Sequence, residues 1–156
     1  MKHFSAIRTS ISLLAALLGF AAMTPAFAGG SDPQIILDDI YGQVSEMCGG
    51  DADGPPYDFV AIAKKYFTPQ LSKKIEKASD DNAIDFDVLV DGQDCKLTEL
   101  DLTVLDDTGK TAIGRAEFKN MGAERIVDLH MAKSGSSWEV TDITYRHRKF
   151  SLKTAF

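Results

Sequence analysis

Apolar residues recur at helical spacing in the first half of this chain and at every second position in the second half. Ile36, Ile40, Val44 and Met47 fall three or four residues apart, and Leu37, Tyr41 and Cys48 widen the stripe. That spacing places them on one face of an α-helix. Ser31-Asp32-Pro33 supplies a capping side chain and a first-turn proline ahead of it, and Gly49-Gly50 stops it. Asp51 to Pro56 is loop by composition. A second helix is predicted over Tyr57 to Phe67, with Phe59, Ile62, Ala63 and Tyr66 on one face. Thr68-Pro69 restarts the chain as a cap plus proline, and Leu71, Ile75 and Ala78 carry a third short helix.

Ser79 to Asp94 is rich in Asp and has no clean period. Beyond it the period becomes two. Leu100, Leu102 and Val104 alternate with Glu99, Asp101 and Thr103; Ala112, Gly114, Ala116 and Phe118 alternate with Ile113, Arg115 and Glu117. Val127, Leu129 and Met131 alternate with Ile126, Asp128 and His130, and Trp138 to Tyr145 forms the last strand. Its alternation slips near Thr141-Asp142, the mark of a bulge. Asp107-Thr108-Gly109-Lys110, Asn120-Met121-Gly122 and Ser134-Gly135-Ser136-Ser137 are the turns. Four strands on short turns make an antiparallel meander. Helices first and strands afterwards give an α+β fold: three N-terminal helices on a curved four-stranded antiparallel sheet. The small-residue row Ala112, Gly114, Ala116 lets something approach the sheet closely, the long first helix or the helix pair. Either helix side chains fill the resulting cone, or its mouth holds a ligand. The apolar residues of the Phe150 to Phe156 tail are expected to pack at a sheet edge.

The first 28 residues read differently. Lys2 and Arg8 precede an apolar run from Ile11 to Met23, and Ala26-Phe27-Ala28 closes it. Charge, apolar run and small residues in that order are a signal peptide, with cleavage expected after Ala28 and one domain over 29–156. The run is too short for a membrane span of about 20 residues, so no membrane insertion of the mature form is expected. Losing the leader takes Lys plus Arg from 17 to 15 while Asp plus Glu stays at 23, and net charge from −6 to −8. That balance disfavours nucleic acid, whose phosphates demand Lys and Arg. The basic run Arg146-His147-Arg148-Lys149 reads as a solvated strand end, and His147 has no obvious partner.

Candidate chemistry is sparse. Cys48 and Cys95 are the two cysteines. In an oxidising compartment they can form one bridge worth roughly 3–4 kcal/mol; two unpaired buried thiols are the alternative. Asp80, Asp81, Asp85, Asp87, Asp91 and Asp94 invite a calcium reading. Phe86, Val88, Leu89 and Val90 interrupt them, so turn and cap chemistry accounts for them better, and no metal or other cofactor is expected. Asp128 and His130 lie two apart on a strand and share a face, with Arg115 and Glu117 on the neighbouring strand's matching face. A His beside a carboxylate can act as a general base, but this is also the natural solvent face of such a sheet. No serine-hydrolase, zinc-protease or phosphate-loop motif is present, and no catalytic residue is assigned. Tyr41, Tyr57, Phe59, Tyr66, Phe67, Phe86, Phe118 and Trp138 are core, or else line a pocket.

Tyr66-Phe67-Thr68-Pro69-Gln70-Leu71, Asp85-Phe86-Asp87 with Asp91-Gly92-Gln93-Asp94, and the closing Trp138-Glu139-Val140-Thr141-Asp142-Ile143 resemble an exported bacterial family, domain of unknown function 3828. The resemblance implies a cone-shaped fold like that of nuclear transport factor two, and no established activity. Cys95 stands where the family pattern leads one to expect an aromatic, so a bridge to Cys48 would belong to a subset of it. Together these readings lead to an expectation of a non-catalytic binding module of the cell envelope, periplasmic or secreted, inhibiting or neutralising a partner. Its acidity would steer it to a basic protein. The alternatives are a carrier of a small apolar ligand and a proton-transfer enzyme acting on one.

Overall fold

The computed structural model describes residues 30–49 and 56–155. The leader, Gly29, Gly50, most of the expected 51–56 loop and Phe156 lie outside them. Helix α1 spans Pro33–Cys48, α2 Phe59–Tyr66 and α3 Pro69–Asp80. Strands β1 (Leu97–Leu105), β2 (Thr111–Asn120), β3 (Ala123–Ser134) and β4 (Ser137–Tyr145) follow, then a short α4, Leu152–Ala155. The sheet is an antiparallel meander in the order β1-β2-β3-β4, and it is not closed. The protein is therefore α+β, as the change of period requires.

Asp32 caps α1, accepting from the Gln34 N–H at 2.7 Å, and Pro33 occupies its first turn. The stripe Ile36, Leu37, Ile40, Tyr41 and Val44 is wholly buried. Burial of such side chains contributes about 1.5–3 kcal/mol each. The helix is tied to both edges of the sheet. Gly30 bridges Trp138 of β4 at its start, and Gly49 bridges Leu97 of β1 at its end. Gly49 is extended (φ −90°) rather than left-handed; a Cβ there would sit 2.5 Å from the Ser45 carbonyl oxygen. The small-residue row of β2 does admit this helix. A Cβ on Gly114 would lie 3.1 Å from Leu37 Cδ1 and 2.7 Å from Met131 Cε. Helix side chains thus fill the space over the sheet.

Helix α2 starts two residues later than its periodicity predicts. Asp58 takes the cap position, accepting from the Ala61 N–H at 3.0 Å, and Tyr57 is left outside the helix. Phe67 is likewise outside, in a parallel bridge to Val140 of β4. Thr68 precedes α3, but its hydroxyl makes no capping bond; its N–H donates to the Val140 carbonyl at 3.0 Å. The bulge falls where alternation slips. His130 faces Asp142 and Met131 faces Val140, so Thr141 is the extra residue. A second irregularity, between Thr98 and Asp101, puts Glu99 at φ 57°. The turn between β2 and β3 is Met121-Gly122, both with positive φ, the two-residue hairpin geometry. Asn120, read as a turn residue, is instead the buried last residue of β2.

Residues 81–96 are neither helix nor strand, yet Val88, Leu89 and Val90 are core. Tyr145 Oη donates to the Val88 carbonyl at 2.8 Å, and Tyr41 Oη to that of Leu89 at 3.0 Å. Burial raises the pKa of both phenols, Tyr41's the more fully enclosed. The tail packs as expected: Leu152 is buried, α4 lies on edge strand β4, and Phe150 stacks on Tyr145.

Candidate functional site

The outward polar face of the sheet forms, but not as one cluster. Arg115 and Asp128 are register partners and make a bidentate pair at 2.7 and 2.9 Å. His130 Nε2 instead meets Thr144 Oγ1 at 2.8 Å, and Glu117 lies opposite Ile126 and Asp101. These four residues share a face without assembling a base and its carboxylate. Cys48 and Cys95 form a disulfide with Cα atoms 5.2 Å apart. Among the described residues no group of three His, Cys, Asp or Glu is placed to hold a metal ion. No described helix is long and apolar enough to cross a membrane.

The basic run is exposed just past the end of β4, as read, but two of its members are paired. Asp91, in the left-handed region at φ 49°, has a side chain only 4% exposed. His147 Nε2 and Arg148 Nη2 pair with its carboxylate, and Arg125 approaches at 3.6 Å. The Arg148 guanidinium also lies 4.2 Å from the centre of the Phe86 ring and 4.8 Å from that of Tyr145. His147, which seemed to lack a partner, has one because the chain between Asp91 and β4 folds back. An aromatic wall around a cation is favourable where water is partly excluded.

An open groove of about 580 Å³ lies beside the C-terminal end of α1 and the start of α2. Met47, Tyr57, Phe59, Ile84 and Phe86 are among its walls, with Asp58 and Asp87 as its charged residues. The aromatics therefore divide. Tyr41, Tyr66, Phe67, Phe118 and Trp138 are core, while the half-buried Tyr57, Phe59 and Phe86 face the groove. Asp87 Oδ2 accepts from the Tyr57 hydroxyl, and Oδ1 accepts from the Leu89 N–H at 2.8 Å. Burial pushes the Asp87 carboxyl above its ordinary range even though those donors pull the other way. Burial, then the Asp87 charge, raises the Tyr57 phenol. Tyr57 reaches Asp87 because α2 begins only after its N-cap Asp58, which leaves Tyr57 outside the helix.

A raised carboxyl has a definite pH signature. The folded state holds a proton on Asp87 at pH values where the unfolded chain has released it. Asp87's contribution to stability is thus fully present below the ordinary carboxylate range and is lost as pH rises through the folded value. Asp87→Asn keeps an oxygen for Leu89 and cannot titrate. The stability of the native protein relative to Asp87→Asn should therefore fall as pH rises through and above the ordinary carboxylate range, measured by urea unfolding at each pH. A constant difference would show that burial does not govern this carboxyl.

No family model, curated protein or solved structure matches the chain.

Proposed function

We propose that the protein is an exported, non-catalytic binding module of the cell envelope, periplasmic or secreted, that docks on a basic protein partner and inhibits or neutralises it. The groove carries this reading. Its walls are largely apolar, and its charged residues, Asp58 and Asp87, are both acidic. They belong to a region whose net charge without the leader is −8. Apolar contact supplies affinity in such a site, and charge sets encounter rate and choice of partner. The leader pattern and the disulfide support export. The resemblance to domain of unknown function 3828, and through it to the cone-shaped folds, is part of the same proposal. Helices preceding an open antiparallel sheet agree with it.

A second reading is favoured by one pair of groups. A carboxyl with raised proton affinity beside Tyr57 in an apolar-walled groove is what a proton-transfer enzyme or a carrier of a small ligand would use. One experiment separates the two. The mature domain and its Asp58→Asn/Asp87→Asn variant are used to pull down partners from envelope extract at low and high salt; Asn at position 58 preserves the cap. The module reading expects a protein captured by the native domain, weakened by salt and lost with the variant. A small molecule co-purifying with the native domain, with no protein captured, would replace it.

A further inference from the structure

We propose that the groove receives a primary ammonium group on an apolar stem, a lysine side chain of the partner, which pairs with Asp87; this rests on the binding-module reading. The inference starts from how the chain treats its other aspartates. Besides Asp87, the described aspartates that are not exposed are Asp91, Asp128 and Asp142. Asp91 holds Arg125, His147 and Arg148, and Asp128 holds Arg115. Asp142 accepts from the Ile143 and Lys153 N–H groups and from the Ser151 hydroxyl. Asp87 receives neutral donors too, but among the described residues it has no ion-pair partner, and no Lys, Arg or His lines the groove. A half-buried carboxylate without a counter-ion is costly. Here it faces an open, apolar-walled space.

The geometry selects the form of the cation. Tyr57 occupies one oxygen of Asp87 and Leu89 the other. Each carboxylate oxygen has a further lone pair to offer, and a guanidinium fork would need one from both oxygens at once. An ammonium is a compact point charge that one oxygen can hold. Its methylene stem can lie along Met47 and Ile84, and the rings of Tyr57, Phe59 and Phe86 suit a cation at the mouth. The same loop already holds a cation with this combination of groups: Arg148 rests on Phe86 while pairing with Asp91. A volume of about 580 Å³ exceeds one lysine side chain and leaves room for an apolar neighbour.

The test is an NMR titration of the disulfide-intact mature domain with three probes. They are a capped Leu-Lys-Leu peptide, the same peptide acetylated on the lysine, and phenethylamine. Resonances of Phe59, Phe86 and Asp87 should shift with the lysine peptide. Affinity should fall at least about tenfold on acetylation, and equally for Asp87→Asn. The acetylation arm uses the native protein, so it stands if the variant folds poorly. Equal binding of both peptides, shifts confined to other surfaces, or binding of phenethylamine without the peptide would each overturn the inference. If the peptide seats at Asp87 but no partner emerges from envelope extract, the module reading fails and the chemistry of the site stands.

Discussion

Replacing Cys48 and Cys95 together by alanine should lower the unfolding free energy by about 4 kcal/mol. The bridge joins residues 47 apart in sequence. Closing a loop of that length in the unfolded chain removes roughly 4 kcal/mol of conformational entropy at 25 °C. The closed loop contains α2, α3, most of the groove's lining and nearly all of the segment leading to β1. Cys48 is wholly buried at the end of α1, next to the Gly49–Leu97 bridge. The loss should appear as a fall in Tm of about 15 °C for a domain of this size, measured on oxidised native protein and the double variant in the same buffer. A change below about 1 kcal/mol would mean that the unfolded chain is already confined without the bond. The same bond links structure to compartment, since such bridges persist where the surroundings are oxidising.

The fold was largely legible because its signals are local. The stripe from Ile36 to Val44, the alternation in β2 and β3 and the Thr141 slip each report geometry set within a few residues. The small-residue row told of an approaching helix because Gly114 cannot be explained by its own strand. What escaped was every interaction that joins distant segments. Asp87 and Asp91 sit in one acid-rich stretch and look alike in sequence. Asp91 is neutralised by residues 34 to 57 positions further on, and Asp87 meets a tyrosine 30 positions earlier. No local period encodes either pairing. Val88, Leu89 and Val90 were the available clue. Three apolar residues amid aspartates mark a loop that enters the core, and such a loop must bring its polar neighbours to partners.

Charge follows the same division. The candidate face on the sheet was found because Arg115 and Asp128 are close in register and both polar on an alternating strand. Such a face is recognisable without being functional. The groove could not be found that way, because it is assembled from α1, α2 and the 82–88 loop, with Asp58 starting α2 one residue after Tyr57. The capping aspartate was the readable feature. Its preference for the position before a helix frees Tyr57 from the predicted helix.

Asn120→Ala should cost about 3 kcal/mol, approaching the loss of the disulfide, although Asn120 looks like a turn residue. Its side chain is the hub of the loop that enters β1. Nδ2 donates to the Val90 carbonyl at 3.3 Å and to that of Asp94 at 3.0 Å, while Oδ1 accepts from the Lys96 N–H at 2.9 Å. Alanine removes all three partners at a position 4% exposed; the buried Val90 carbonyl left unpaired costs about 1–3 kcal/mol, and the part-buried Asp94 and Lys96 groups add smaller losses. Asp at this position would keep the acceptor for Lys96 but set a charge against two carbonyls, so Asn120→Asp should be no better than alanine near neutral pH. The Asn120 bonds span Val90 to Lys96, and Cys95 lies inside that span. Hub and disulfide therefore restrain the same segment. A double-mutant cycle of Asn120→Ala with the cysteine pair, read by urea unfolding, should give a combined loss smaller than the sum by at least about 0.5 kcal/mol. Strict additivity would mean that the loop is held at two independent points. A loss near zero for Asn120→Ala alone would mean that water replaces the amide at all three partners.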